Sequence, residues 1–173
     1  MCHSARYVGR ISAMAIIVAI VITTPVLQGD QGSQGATDAK AIVGSWLETV
    51  TFPSEAGRPP LQSLSSYHED HTAVCADQGS VTINSDQPGV FSACHGAWKH
   101  LEKRKFAGTF VELISDLSGN LVGYLRVRSD LTVSESGNEY TGTSLAEILD
   151  PDGNVLFSVP VANAGLRIQV QLP

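Results

Sequence analysis

The residues with the means to do chemistry fall into a few small groups. His68-Glu69-Asp70-His71 sets two histidines around two acids, a composition that could ligate zinc if further ligands converged from rigid elements. It lies between two strand-like runs, so a solvated hairpin turn is the preferred reading. Asp150-Pro151-Asp152-Gly153-Asn154 has acids at the front of a calcium-loop pattern but lacks the later acidic ligand, and reads as a turn. His95 and Trp98 follow Cys94 where a loop enters a strand. Alternation puts them on opposite faces, so ordinary packing of Trp98 is preferred, and both are kept as candidate ligand contacts. Glu112 shares a face with Phe106, Phe110 and Ile114, while Ala107, Thr109, Val111 and Leu113 share the other. If the aromatic face points inward, Glu112 is an interior carboxylate with a raised pKa and a candidate acid or base; a surface position is the preferred alternative. Glu147, between Leu145 and Leu149, poses the same question. No Ser-His-Asp order, Gly-x-Ser-x-Gly elbow, phosphate loop or His-Glu-x-x-His is present, so no catalytic residue, metal or cofactor is assigned.

The elements that must position these groups are strands. From Phe106 to Val159 three turn clusters, 116–120, 135–138 and 150–154, separate long runs of Val, Leu, Thr, Tyr and Phe without interior proline until Pro160. Asp150, Pro151 and Gly153 match a type I turn with Gly153 in the left-handed position of a hairpin bulge. Leu121, Gly123, Leu125, Val127, Ser129, Leu131 and Val133 share one face, and Tyr124, Arg126, Arg128 and Asp130 the other. A one-residue slip would bury two arginines and an aspartate, so the Leu125 face points inward. With Phe110 and Glu112 on the adjacent strand, Leu125 and Val127 are candidate ligand contacts. Gly123, Ser129, Gly142 and Ser144 are expected to leave room beside them. Upstream, 44–52 is the first strand, and 61–67 with 72–76 forms a hairpin. Residues 77–93 are a loop, and 155–172, interrupted by Pro160 and Asn163-Ala164-Gly165, is split into two strands. About eight to ten strands and almost no helix predict an all-β, antiparallel up-and-down barrel of about eight strands, since closure removes exposed edges.

The opening segment carries Arg6 and Arg10 before an apolar run from Ile11 to Leu27. It reads as a signal peptide over 1–29, with a disordered spacer over 30–40 and a barrel domain over 41–173. An uncleaved membrane anchor is the alternative, and only then would the membrane be a partner. Removing everything before Lys40 takes two charges of each sign, so the net charge stays at −6. The densest basic cluster, 99–105, is interrupted by Glu102, which argues against a nucleic-acid partner. Of three cysteines, Cys2 leaves with the signal. Cys75 and Cys94 remain and are most simply a disulfide in an exported, secreted or periplasmic protein; two free thiols in an unexported protein is the other reading.

Gly44-Ser45-Trp46 in the first strand and Arg167 in the last resemble the calycin (lipocalin-like) pattern. There, a Gly-x-Trp tryptophan packs under the barrel base and a last-strand arginine stacks across it. The Thr-Asp-Tyr triplet of that pattern and a helix after the last strand are not found in this sequence. A looser resemblance is to allene oxide cyclase-like barrels, some of which catalyse cyclisations in a similar lumen. The resemblance implies a small barrel that closes through Trp46 and Arg167 and binds an apolar or amphipathic small molecule. A cyclase or isomerase, or a structural or interaction domain of the cell envelope, are the alternatives. Lumen volume separates the binder and the enzyme from the interaction domain, since a ligand site needs a cavity of roughly 300 Å³ or more.

Overall fold

The turns of the second half share one construction. In Asp116-Leu117-Ser118-Gly119-Asn120 and Asp150-Pro151-Asp152-Gly153-Asn154 the glycines adopt φ of 85° and 89°, a left-handed conformation that a Cβ disfavours. Each glycine N–H donates to the aspartate carbonyl at 3.0 Å. Each aspartate carboxylate then accepts from the asparagine backbone N–H (2.8 Å) and side-chain amide (2.9 Å). At Ser134-Glu135-Ser136-Gly137-Asn138, Ser134 stands where the other turns have aspartate and Gly137 is again left-handed, with φ of 74°. These are type I turns with a bulge glycine, and each joins antiparallel neighbours.

The computed structural model describes residues 37–78, 82–84 and 87–172. Its strands are β1 (Gly44–Thr51), β2 (Leu61–Tyr67), β3 (Thr72–Asp77), β4 (Thr82–Asn84), β5 (Gln87–Pro88), β6 (Val90–Phe91), β7 (Cys94–Glu102), β8 (Lys105–Ser115), β9 (Leu121–Val133), β10 (Glu139–Leu149) and β11 (Val155–Arg167). Eight of them form a closed antiparallel ring in the order β1-β2-β3-β7-β8-β9-β10-β11, with β11 returning to β1 and β8 pairing β9. Every strand of the ring pairs with its neighbours along the chain, so the barrel is up-and-down. The β9 strand covers 13 residues, at about 3.3 Å each long enough to coil across the whole wall. Its Leu125 face does point inward: Ser129, Leu131 and Val133 are buried and Asp130 is exposed.

Three expectations are corrected. Residues 155–167 are one continuous strand, not two. Pro160 pairs Leu145 of β10, but β1 has already ended at Thr51 opposite Ala162, so its missing N–H falls where the ladder has run out on that side. Within 77–93, Asp77 closes β3, β4 pairs β5, and β6 takes the edge of β8 that β7 leaves. At the front, the expected signal peptide lies outside the described residues, but 37–40 of the expected spacer is a helical turn. Lys40 N–H bonds to Thr37 O, and Asp38 pairs with Arg104 at 3.4 Å. No helix among the described residues is long and apolar enough to cross a membrane.

Candidate functional site

One end of the barrel is plugged. Trp46 is fully buried and donates its indole N–H to Ile42 O at 2.8 Å, and its ring meets the edge of Tyr140 at 4.9 Å between centroids. The Arg167 guanidinium lies 4.2 Å above the indole and donates to the carbonyls of Ala41, Val43 and Gly137 at 2.6–2.7 Å. The cation therefore joins the N-terminal turn, the β9–β10 turn and the last strand over one ring. Gly44 is required there, because its φ is 128° and a Cβ would come within 2.5 Å of Arg167 Nη1. Ile42, Tyr67, Trp98, Phe106, Leu131 and Val133 fill the rest of this end. The His68–His71 segment is a turn beneath it, with Asp70 accepting from the Thr72 N–H and hydroxyl at 3.0 and 2.6 Å.

Toward the other end the lumen opens into a cavity of about 180 Å³. Its upper wall is apolar: Phe52, Leu61, Phe91, Leu125, Ile148 and Phe157. Phe110, Val127, Val159 and Val161 lie deeper, and Arg58 lines the mouth with its guanidinium 4.7 Å from the Phe52 ring centre. The volume falls short of the roughly 300 Å³ expected of a ligand site, though apolar cavities of about 150 Å³ accept benzene. A ligand on the scale of one aromatic ring with a short arm fits.

The floor is polar. Ser144 donates to Asn163 Oδ1 at 2.7 Å and lies 2.7 Å from the Ser129 hydroxyl, and Asn163 donates its amide to Glu48. Burial holds the Glu48 carboxyl above its usual range, with the Asn163 bond pulling the other way. Burial also raises Asp77, opposed by the Ser63 hydroxyl. Glu112 is different: it is 3% exposed and its Oε2 has no hydrogen-bond partner among the described residues. Burial, and then the Asp77 charge, push its pKa from 4.5 to about 8. Its carboxylate and the Cys75 and Cys94 sulfurs lie within 4.8 Å of one another, the one such cluster of potential metal ligands among the described residues. Those sulfurs are bonded to each other across the directly opposed β3–β7 pair, with Cα atoms 4.9 Å apart. They offer no thiolate, so this is not a metal site.

The structure thus brings Phe110, Glu112, Leu125 and Val127 to one cavity. It reverses the preferred surface position of Glu112, because Phe106, Phe110 and Ile114 of its face are buried while Val111 and Leu113 are exposed. His95 faces outward, paired with exposed Val111. Trp98 is buried in the plug, donating to His68 O at 2.9 Å with Phe106 at 5.8 Å; neither lines the cavity. Glu147 faces outward, held by Arg126 (2.8 Å) and Arg128 (3.1 Å), which lower its pKa. Sequence reasoning missed Glu48, Asp77 and Asn163. The Glu48 signal was its place between Trp46 and Val50 on an inward face. Comparison with protein families, with curated proteins and with solved structures finds no match.

Proposed function

We propose that this chain is an exported, calycin-like barrel that holds a small amphipathic molecule in its lumen. The observation carrying this reading is the 180 Å³ cavity walled by aliphatic and aromatic side chains above a polar floor, where a filled core would be expected of a purely structural barrel. The Cys75–Cys94 disulfide supports an oxidising location, secreted or periplasmic, and the Trp46–Arg167 stack supports the calycin likeness. Native mass spectrometry of protein purified from its own host tests the function. A bound species of small mass, lost on denaturation, is expected; protein carrying nothing, with no small molecule saturating it in vitro, would contradict it.

A second reading has one observation in its favour. Glu112, with a pKa near 8, is tuned for proton transfer near neutrality, as a lumen cyclase or isomerase would need. Turnover of a bound ligand that Glu112→Gln abolishes without loss of binding would establish it.

A further inference from the structure

We infer that the lumen selects a small organic cation, an ammonium group on an apolar body, and that Glu112 is the seat of the ammonium. This rests on the lumen-binding reading above. Three of the lining residues are acidic, Glu48, Asp77 and Glu112, and one is basic, Arg58 at the mouth. Arg58 stacks its guanidinium on the Phe52 ring and makes no ion pair among the described residues. Glu48 already accepts from Asn163, and Asp77 lies beside Ser63. Glu112 is left, almost wholly buried, with Oε2 unpartnered and lining the cavity.

A native structure rarely strands a buried carboxyl, and one left so is a place for a partner not yet present. The sign of that partner follows from its neighbours. An anion would meet three carboxyl groups. A bare metal ion needs several oxygens converging closely, and Glu48, Asp77 and Glu112 do not gather within 4.8 Å of one another. A cation whose charge is carried on one donor group, with an apolar body against Leu125, Val127 and Phe110, satisfies the acid and the wall together.

The ionisable groups that share the lumen with Glu112 are Asp77, whose charge acts on it, and Glu48, with Arg58 at the mouth. Tyr67 and Tyr140, which meet the Glu48 charge from the plugged end, are raised by burial and stay neutral through the range tested. Below about pH 8 burial and the Asp77 charge keep Glu112 protonated. An ammonium must displace that proton, so O–H becomes O⁻ paired to N⁺–H and a proton leaves to solvent. Amine affinity should therefore fall about tenfold per pH unit below that point.

The experiment is calorimetric titration of the full chain with phenethylamine, its neutral counterpart phenethyl alcohol, and the anionic hydrocinnamate. Phenethylamine should bind at least about tenfold tighter than the alcohol at pH 8, hydrocinnamate should not bind, and amine binding at pH 7 should release about one proton. Glu112→Gln, with its fold checked by circular dichroism and a cooperative thermal unfolding transition, should erase the preference for amine over alcohol. Equal affinities for amine and alcohol, no proton release, or a preference that survives Glu112→Gln would each overturn the inference while leaving the lumen-binding reading in place. If none of the three compounds binds, both fall.

Discussion

Glu112 shows how one residue's role is set by what surrounds it. Its face was ambiguous in the sequence because Val111 and Leu113 on the other side are just as apolar, and they end up 40% and 49% exposed. Pairing with β9, which sets Glu112 opposite Leu125, decides the question. A carboxyl with a raised pKa holds its proton more tightly in the folded state than in the unfolded chain. Unfolding between pH 4.5 and about 8 therefore releases a proton, and stability falls as pH rises through that window. Glu112→Gln should stabilise the protein at pH 8 by on the order of 2–4 kcal/mol after allowance for solvent screening, and should make the decline of stability with pH shallower. Glu48 and Asp77, also raised, retain part of it. Denaturant titrations of both proteins at pH 5 and pH 8 check this; parallel curves would contradict it. At the plug, Trp46→Ala should cost about 3–5 kcal/mol, since it removes a fully buried indole along with its bond to Ile42 and its stack on Arg167. A loss below about 1 kcal/mol would make Trp46 peripheral.

Among the elements, what was legible follows from local chemistry. The Asp-x-x-Gly-Asn turns, the β2–β3 hairpin and the inward face of β9 are each fixed by side chains a few residues apart, and they fold as read. The continuity of β11 was not legible, because Pro160 breaks a strand only where a ladder bond is required of it, and that depends on where β1 ends. Depth along the barrel was not legible either. Alternation separates the two faces, and so put His95 and Trp98 on opposite sides of β7, but it does not say whether an inward residue sits in the plug or the cavity. The glycines expected to open the lumen instead permit close strand approach in a tightly coiled wall. A Cβ on Gly123 or Gly142 would come within 2.2 or 2.1 Å of the Leu149 or Asp130 carbonyl oxygen. The disulfide ties β3 to β7 across a separation of 19 residues, which by loop entropy contributes about 3 kcal/mol. Replacing both cysteines by alanine should lower stability by about that amount in a thermal or denaturant scan. Thiol labelling of Cys75 and Cys94 in non-reduced, denatured protein would contradict the bridge.

At the scale of the whole molecule, the barrel divides stability and binding between its two ends. The closed end commits its aromatics and Arg167 to packing. The open end keeps unfilled space, three carboxyls and short Asp-x-x-Gly-Asn turns that leave the mouth uncovered at those corners. The outer wall carries a row in register, Leu166, Leu47 and Leu64, each 42–57% exposed, which is the surface an interaction domain would use if the lumen proved empty. The most direct test of a ligand-holding lumen is saturation binding of fluorobenzene, a probe of the cavity's size, followed by fluorine NMR in the native protein and in Leu125→Trp. Leu125 lines the cavity opposite Glu112, so an indole there fills the space without touching the plug. Saturable binding at one site in the native protein, abolished in a folded Leu125→Trp variant, is the expected result. No saturable binding, or binding that the tryptophan leaves unchanged, would contradict it.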